Sequence, residues 1–203
     1  ASDAAMDIFS AYLELLCRWQ EKINLVGVAT LEDPWRRHFL DSAQLYPLLT
    51  ENARVIVDIG SGAGFPALVM AIFDAHQEPA KNNDQRQFHL IESNKRKGVF
   101  LREIIRLFNI PAIVHDCRAK NYNGPKADVV TARACAPLSS LLAMSAQLLA
   151  QGGRGLFLKG AKYRDELTPA NKDWNMLLSK QASSTNSESV ILQVENLARA
   201  NDA

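Results

Sequence analysis

The stretch "VIVDIGSGAGFP", residues 55–66, decides the fold. An apolar, β-branched run carries an acid, Asp58, near its end and then three glycines at alternate positions, Gly60, Gly62 and Gly64. That pattern predicts a short buried strand ending in a turn stripped of side chains, which something can approach closely. Pro66 suits the first position of a helix, and "ALVMAIFDA" beyond it is apolar and helical. Downstream, "FHLIES", "AIVHD", "ADVVTARA" and "RGLFLKG" read as four further strands. Helical stretches "NKRKGVFLREIIRLFN" and "PLSSLLAMSAQLLAQGG" alternate with them, the second closed by its glycine pair. Continuous apolar strands between helices predict an α/β fold whose mostly parallel sheet is covered on both faces.

The ends of the chain read differently. Residues 1–50 are expected to form a helical extension, and residues 51–203 one compact α/β domain. In "DIFSAYLELLCRWQEKINLV", Phe9, Leu13, Leu16, Trp19 and Ile23 recur at helical spacing and form one apolar stripe. "EDPWRRHFLDSAQLYP" offers Asp33 as helix cap, Pro34 as first helical residue and Pro47 as stop. At the other end, "WNMLLSKQA" and "SVILQVENL" flank the polar "SSTNSE", predicting an antiparallel hairpin. Trp19 and Trp35 are expected in the core, and residues 76–87 are expected to form an exposed polar loop.

The turn's spacing selects the ligand. A dinucleotide turn has the form G-x-G-x-x-G, its third glycine letting helix and strand pack closely. Here the spacing is G-x-G-x-G-F-P, with Phe65 at the third-glycine position. Asp58 at the strand tip would repel a pyrophosphate but attract an ammonium or sulfonium group. The pattern therefore favours S-adenosylmethionine over a nicotinamide cofactor, a purely structural turn being the alternative. Glu92 ends the second strand, where a carboxylate can accept both hydroxyls of a ribose. It lies 32 residues beyond Gly60, and the polar loop accounts for a spacing longer than the usual ~20.

Of the 203 residues, 47% are apolar and 22% charged, as in a soluble domain with a single core. No apolar run approaches the ~20 residues of a membrane span, and no signal-peptide pattern opens the chain. Cys17, Cys117 and Cys135 share no ligand-like spacing, so neither a disulfide framework nor a metal site is expected. The cytoplasm is the expected compartment. The net charge of +1 hides an asymmetry: residues 95–164 carry thirteen Lys and Arg against three acids. Such a span suits a polyanionic partner, although solvated helix faces produce the same pattern.

Taken together, "RWQEKINLVGVATLEDPWRRHFLDS", "VDIGSGAGFPAL", "LIESNKRKGVFLRE", "VVTARACAPL" and "FLKG" resemble one family across residues 18–160. It is that of the bacterial small-subunit ribosomal RNA guanine-N(7) methyltransferases, also called glucose-inhibited division protein B. The resemblance implies a class I methyltransferase (Rossmann-like) fold with S-adenosyl-L-methionine as methyl donor. It also implies a guanine of 16S ribosomal RNA, free or in the small ribosomal subunit, as target. A monomer is expected. The cofactor contacts it implies fall on Gly60, Phe65, Ala119, Lys120 and Arg133. Lys120 departs from the family's usual Glu.

The seventh nitrogen of a neutral guanine already carries a lone pair, so attack on a sulfonium methyl needs no deprotonation. Accordingly "TARACAP" after the fourth strand lacks the Asp/Asn-Pro-Pro-aromatic motif of amino-group methyltransferases, and no general base is assigned. Arg37, His38 and Asp41 in "WRRHFLDS" are candidates for positioning RNA, as are Arg133 and Lys159 at strand ends; surface ion pairing and core packing are the plain alternatives. Lys95, Arg96 and Lys97 open a helix, where the macrodipole disfavours cations, hinting at an external anion. His76, His89 and His115 share no spacing. Competing readings are methylation of another RNA base, a small-molecule methyltransferase and a non-catalytic RNA-binding module. A pyrimidine enzyme would use Cys135 as nucleophile; the plain reading of that cysteine is a small buried apolar residue.

Overall fold

The structure is a computed structural model that describes residues 1–76 and 86–200, so most of the expected loop at 76–87 lies outside the described residues. Among the described residues seven strands make one sheet: β1 Val55–Ile59, β2 Gln87–Ile91, β3 Ala112–His115, β4 Ala127–Arg133, β5 Leu149–Lys159, β6 Trp174–Ala182 and β7 Val190–Arg199. Their spatial order is β3-β2-β1-β4-β5-β7-β6. The first five strands pair in parallel, while β7 runs antiparallel to both β5 and β6. The expected terminal hairpin is therefore β6–β7, inserted with its second strand next to β5. Ile56, Val57, Asp58 and Ile59 of the central β1 are all buried, as a strand covered on both faces requires. Because β2 lies on one side of β1 and β4 on the other, the chain reverses its winding at the carboxyl end of β1, where open α/β sheets bind ligands.

Six α-helices among the described residues accompany the sheet: α1 Asp3–Gln20, α2 Asp41–Ala43, α3 Ala67–Ala75, α4 Lys95–Phe108, α5 Leu138–Leu148 and α6 Tyr163–Asp173. In α1, Ala5, Phe9, Tyr12 and Leu16 are buried in one cluster with α3 and β1. The expected stripe is thus shifted, with Tyr12 innermost and Leu13, Trp19 and Ile23 at its margin. Asp33 caps the next segment, its Oδ1 accepting from Arg36 N at 3.3 Å. The helix it opens is π-helical over Trp35–Leu40 before tightening into α2. Pro47 does not stop it but lies inside a following 3-10 turn, Tyr46–Leu48.

Two further expectations fail, and one helix was not foreseen. The glycine pair 152–153 does not close α5; β5 begins at Leu149 and takes both glycines into the strand, where Gly152 adopts φ +76° and the register with β4 slips. A backbone kink at a sheet's edge of pairing, not a helix cap, is what those glycines serve. Trp35 is exposed, its ring centroid 4.9 Å from that of Phe39. The helix α6 was not legible, since its interior Pro169 and mostly polar face disguise it.

Candidate active site

At the carboxyl end of β1 the chain turns through Gly60, Gly62 and Gly64 with φ of +67°, +57° and +94°. Each side chain is missing for its own reason. A Cβ on Gly60 would meet Cys135 Cβ at 2.8 Å, and one on Gly64 would collide with the Tyr12 hydroxyl and with Leu68. Only at Gly62 is the space beyond open, the nearest atom to a Cβ being a backbone oxygen 3.8 Å away. Gly60 and Gly64 are thus demanded by packing and by left-handed backbone, and Gly62 leaves room for a ligand.

The turn is held to β2. The amides of Gly60 and Ser61 donate to Ile91 O at 2.9 and 3.1 Å. Glu92, buried just past β2, accepts from Gly62 N at 2.8 Å and from Asn94 N at 2.7 Å. Asp58 lies beneath the turn, fully buried. Its Oδ1 accepts from Thr131 Oγ1 at 2.6 Å, whereas Oδ2 has no partner among the described residues. Burial pushes its carboxyl up to about 6, against the pull of the Thr131 hydrogen bond.

A cavity of about 610 Å³ opens in front of the turn, within the size range of small-ligand sites. Gly60, Gly62 and Phe65 line it, with Arg37, His38 and Asp41 from the π-helical segment and α2, Arg133 from β4, and Lys159 from β5. The sequence's candidates therefore converge from four separate stretches. Asp58, Gly64, Glu92, Ala119 and Lys120 lie outside this lining. Ala119 is buried and Lys120 exposed in a 3-10 turn, Ala119–Asn121, two sheet positions away from β1.

Arg133 is clamped. Its Nη1 donates to Arg37 O at 2.8 Å and faces Asp41 Oδ2 at 3.4 Å, and its guanidinium lies 5.0 Å from the Phe65 ring centroid. Nη2 donates to His38 Nδ1 at 2.9 Å. Because a guanidinium can only donate, Nδ1 accepts and the histidine's hydrogen sits on Nε2, facing Thr30 Oγ1 at 2.8 Å. Burial, then the charges of Arg133 and Arg37, push His38 down to about 3. Asp41 Oδ1 accepts from Thr185 Oγ1 at 2.6 Å and from Gln44 Nε2 at 3.0 Å. Lys159 is also engaged: Nζ lies 2.6 Å from Glu166 Oε2 and donates to Ala136 O at 3.1 Å, while Leu138 N donates to the same carboxylate at 2.6 Å.

Several site residues were not found from sequence. Thr30 sits in a 3-10 turn, and Thr185, Asn186 and Ser189 belong to the β6–β7 turn that closes one wall. The only signal for the latter was the polar "SSTNSE". His89 and His115, unrelated in sequence, are joined by parallel register, His89 Nδ1 lying 3.0 Å from His115 Nε2. Cys135 is exposed, correcting the expectation of a buried residue, yet desolvation against the turn pushes its thiol up to about 12.

The sequence profile of the GidB family, described as rRNA small subunit methyltransferase G, matches residues 5–194. The chain belongs to this family. Its relatives in the rRNA small subunit methyltransferase G family include the Rhodospirillum centenum protein, 46% identical over 97% of this chain and 87% of that one. The Rhodospirillum rubrum member is 44% identical over 98% of this chain and 94% of its own. Among solved structures, M. jannaschii TYW2 in complex with AdoMet superposes with a TM-score of 0.59 at 15% identity, covering 88% of this chain and 80% of that one. That likeness shows the methyltransferase fold. No described helix is long and apolar enough to cross a membrane.

Proposed function

We propose that this chain transfers a methyl group from S-adenosyl-L-methionine to the seventh ring nitrogen of a guanine in 16S ribosomal RNA, acting in the cytoplasm on the RNA or on the small subunit. One observation carries the choice of atom: every acid or histidine lining the cavity is already committed. His38 Nδ1 takes Arg133, Asp41 takes Arg133, Thr185 and Gln44, and Glu166 takes Lys159 and Leu138 N. A cavity lining without a free base suits a nucleophile that needs no deprotonation, and proximity with alignment then supplies the rate.

The residues present fit the cofactor. Gly62 leaves open space at a positively twisted turn, Glu92 keeps lone pairs beyond the two amides it accepts, and Asp58 Oδ2 is a buried anion without a partner. Gly60, Gly62, Gly64 and Phe65 would hold the donor's body, Glu92 its ribose, and Asp58 its ammonium group from beneath. Ala119 and Lys120, past β3, would border the adenine. When bound, S-adenosylmethionine supplies an electrophilic sulfonium methyl. Arg133, held by Asp41, His38 and Phe65, would border the bound donor. Arg37, Lys97 and Lys162 line the mouth, and none has an ion-pair partner among the described residues, so they are placed for RNA phosphates.

The test incubates the protein with labelled S-adenosylmethionine and unmethylated small-subunit RNA or particles. Label on the seventh nitrogen of guanine supports the reading. Label on a pyrimidine carbon, or on RNA amino groups, overturns it.

A further inference from the structure

A second cavity, about 460 Å³, lies between α1 and the start of α4. Its apolar floor is made by Trp19, Ile23 and Val99, and Arg18, Lys22 and Arg96 ring it. Val99 is 50% exposed, an apolar side chain held in the open on the helix face nearest these cations. Arg96 reaches across, its Nη2 donating to Lys22 O at 3.3 Å, and so ties the two walls together. Arg18 has Glu14 at 3.9 Å, on a fully solvated stretch of α1; Lys22 and Arg96 have no acidic partner among the described residues.

This slot adjoins the candidate active site. Lys97, the neighbour of Arg96, lines the main cavity, and Leu25, two residues past Ile23, lines it from the other side. We propose that the slot holds an unpaired base of the RNA strand a short distance from the target guanine, with the flanking phosphates on Arg18, Lys22 and Arg96. The inference rests on the proposed ribosomal RNA substrate and names a second contact for it. An apolar floor beside an aromatic ring, rimmed by cations, is the composition that single-stranded nucleic acid selects: the base face lies on the floor and the backbone on the rim. A protein segment of matching shape would need acidic residues at the same three places. The rim also explains why Arg96 and Lys97 open α4 against its dipole, one cation serving each cavity.

The experiment measures methyl transfer with small-subunit RNA as the varied substrate, comparing wild type with the Lys22→Glu/Arg96→Glu double variant and with Val99→Asp. All three positions are on the surface, and thermal melting with S-adenosylmethionine titration checks that fold and cofactor binding stay as in wild type. The expected result is a KM for RNA at least tenfold higher in both variants, with kcat at saturating RNA within about twofold. In parallel, p-benzoylphenylalanine in place of Val99 should crosslink to a nucleotide of the same RNA. An unchanged KM, or a crosslink to a ribosomal protein in assembled particles and none to RNA, overturns the proposal. If wild type itself transfers no methyl group to RNA, the failure lies with the proposed function and not with the slot.

Discussion

Asp58 is a carboxylate kept where water cannot reach it, with one oxygen bonded to Thr131 and the other unpartnered. Burial raises its folded pKa to about 6 from the ordinary 3.8, so folding without ligand favours the protonated form relative to the unfolded chain, while at neutral pH the carboxylate stays mainly ionised. The group's contribution to stability is therefore complete below about pH 4 and lost as pH rises through 6. A cationic ligand end reverses the preference, because it is bound by the ionised form. S-adenosylmethionine affinity is expected to fall about tenfold per pH unit below 6. In Asp58→Asn, affinity should be weak at pH 7.5 and flat with pH, while the ligand-free protein melts no lower than wild type. Titration calorimetry from pH 5 to 8 decides it; a pH-independent wild-type affinity removes the ionised carboxylate from the site. Cys135 makes the complementary case. A thiol pushed up to about 12 by desolvation is a poor source of the thiolate that opening a pyrimidine ring requires. Cys135→Ala should keep most of the activity, and a covalent adduct of wild type with 5-fluoropyrimidine RNA would contradict that. Residue identity at the turn was legible from the chain because glycine, acid and proline have few other reasons to occur in that order. What separated Gly62 from Gly60 and Gly64 was not, since the neighbours that forbid a Cβ come from α1 and from the end of β4.

At the level of elements, α1 does more than cover the sheet. Tyr12 is fully buried, donates its hydroxyl to Ala63 O inside the glycine turn, and lies parallel to Phe65 at 5.6 Å. Phe65 in turn carries His38 at 5.0 Å and Arg133 at 5.0 Å on its ring. The helix thus fixes the turn and the arginine clamp through one aromatic. Tyr12→Phe keeps the ring and removes the hydrogen bond, leaving Ala63 O buried without a donor, which costs about 1–3 kcal/mol. A protein of this size should lose about 2–4 °C of Tm for each of those kcal/mol. S-adenosylmethionine affinity should weaken as well, because the turn loses its anchor. Differential scanning calorimetry and cofactor titration measure both; unchanged values would mean that α1 merely packs. Helical periodicity revealed α1 but left Tyr12 out of its apolar stripe, because a tyrosine's amphipathic ring counts weakly in an apolar pattern. Pro169 and a mostly polar face hid α6, and the helix that carries Arg37 and His38 was legible in position but not in its π-helical winding. The apolar runs of β1, β2 and β4 were read directly, since strands buried on both faces leave no polar alternation to misread.

For the molecule as a whole, a net charge of +1 conceals a dipolar surface, with thirteen cations between residues 95 and 164 against three acids. The fold sorts them. Arg102, Arg106 and Lys159 are spent on Asp116, Glu103 and Glu166, while Lys97 and Lys162 reach the cavity mouth beside Arg37 without acidic partners among the described residues. Cofactor and RNA should consequently respond to salt in different ways. Binding of S-adenosylmethionine rests on a buried carboxylate and backbone groups, which ions screen little. RNA binding releases counterions, and three phosphate contacts at the mouth give a slope of log affinity against log salt of about −2 for a single strand. Lys97→Glu should flatten that slope by at least about 0.7 and leave cofactor affinity within about twofold, since Lys97 lies at the opening and Asp58 beneath the turn. Filter binding of small-subunit RNA between 50 and 300 mM salt, paired with cofactor titrations over the same range, provides the comparison. An RNA affinity indifferent to salt would assign the cavity to a small neutral acceptor, and the basic span to solvated helix faces alone.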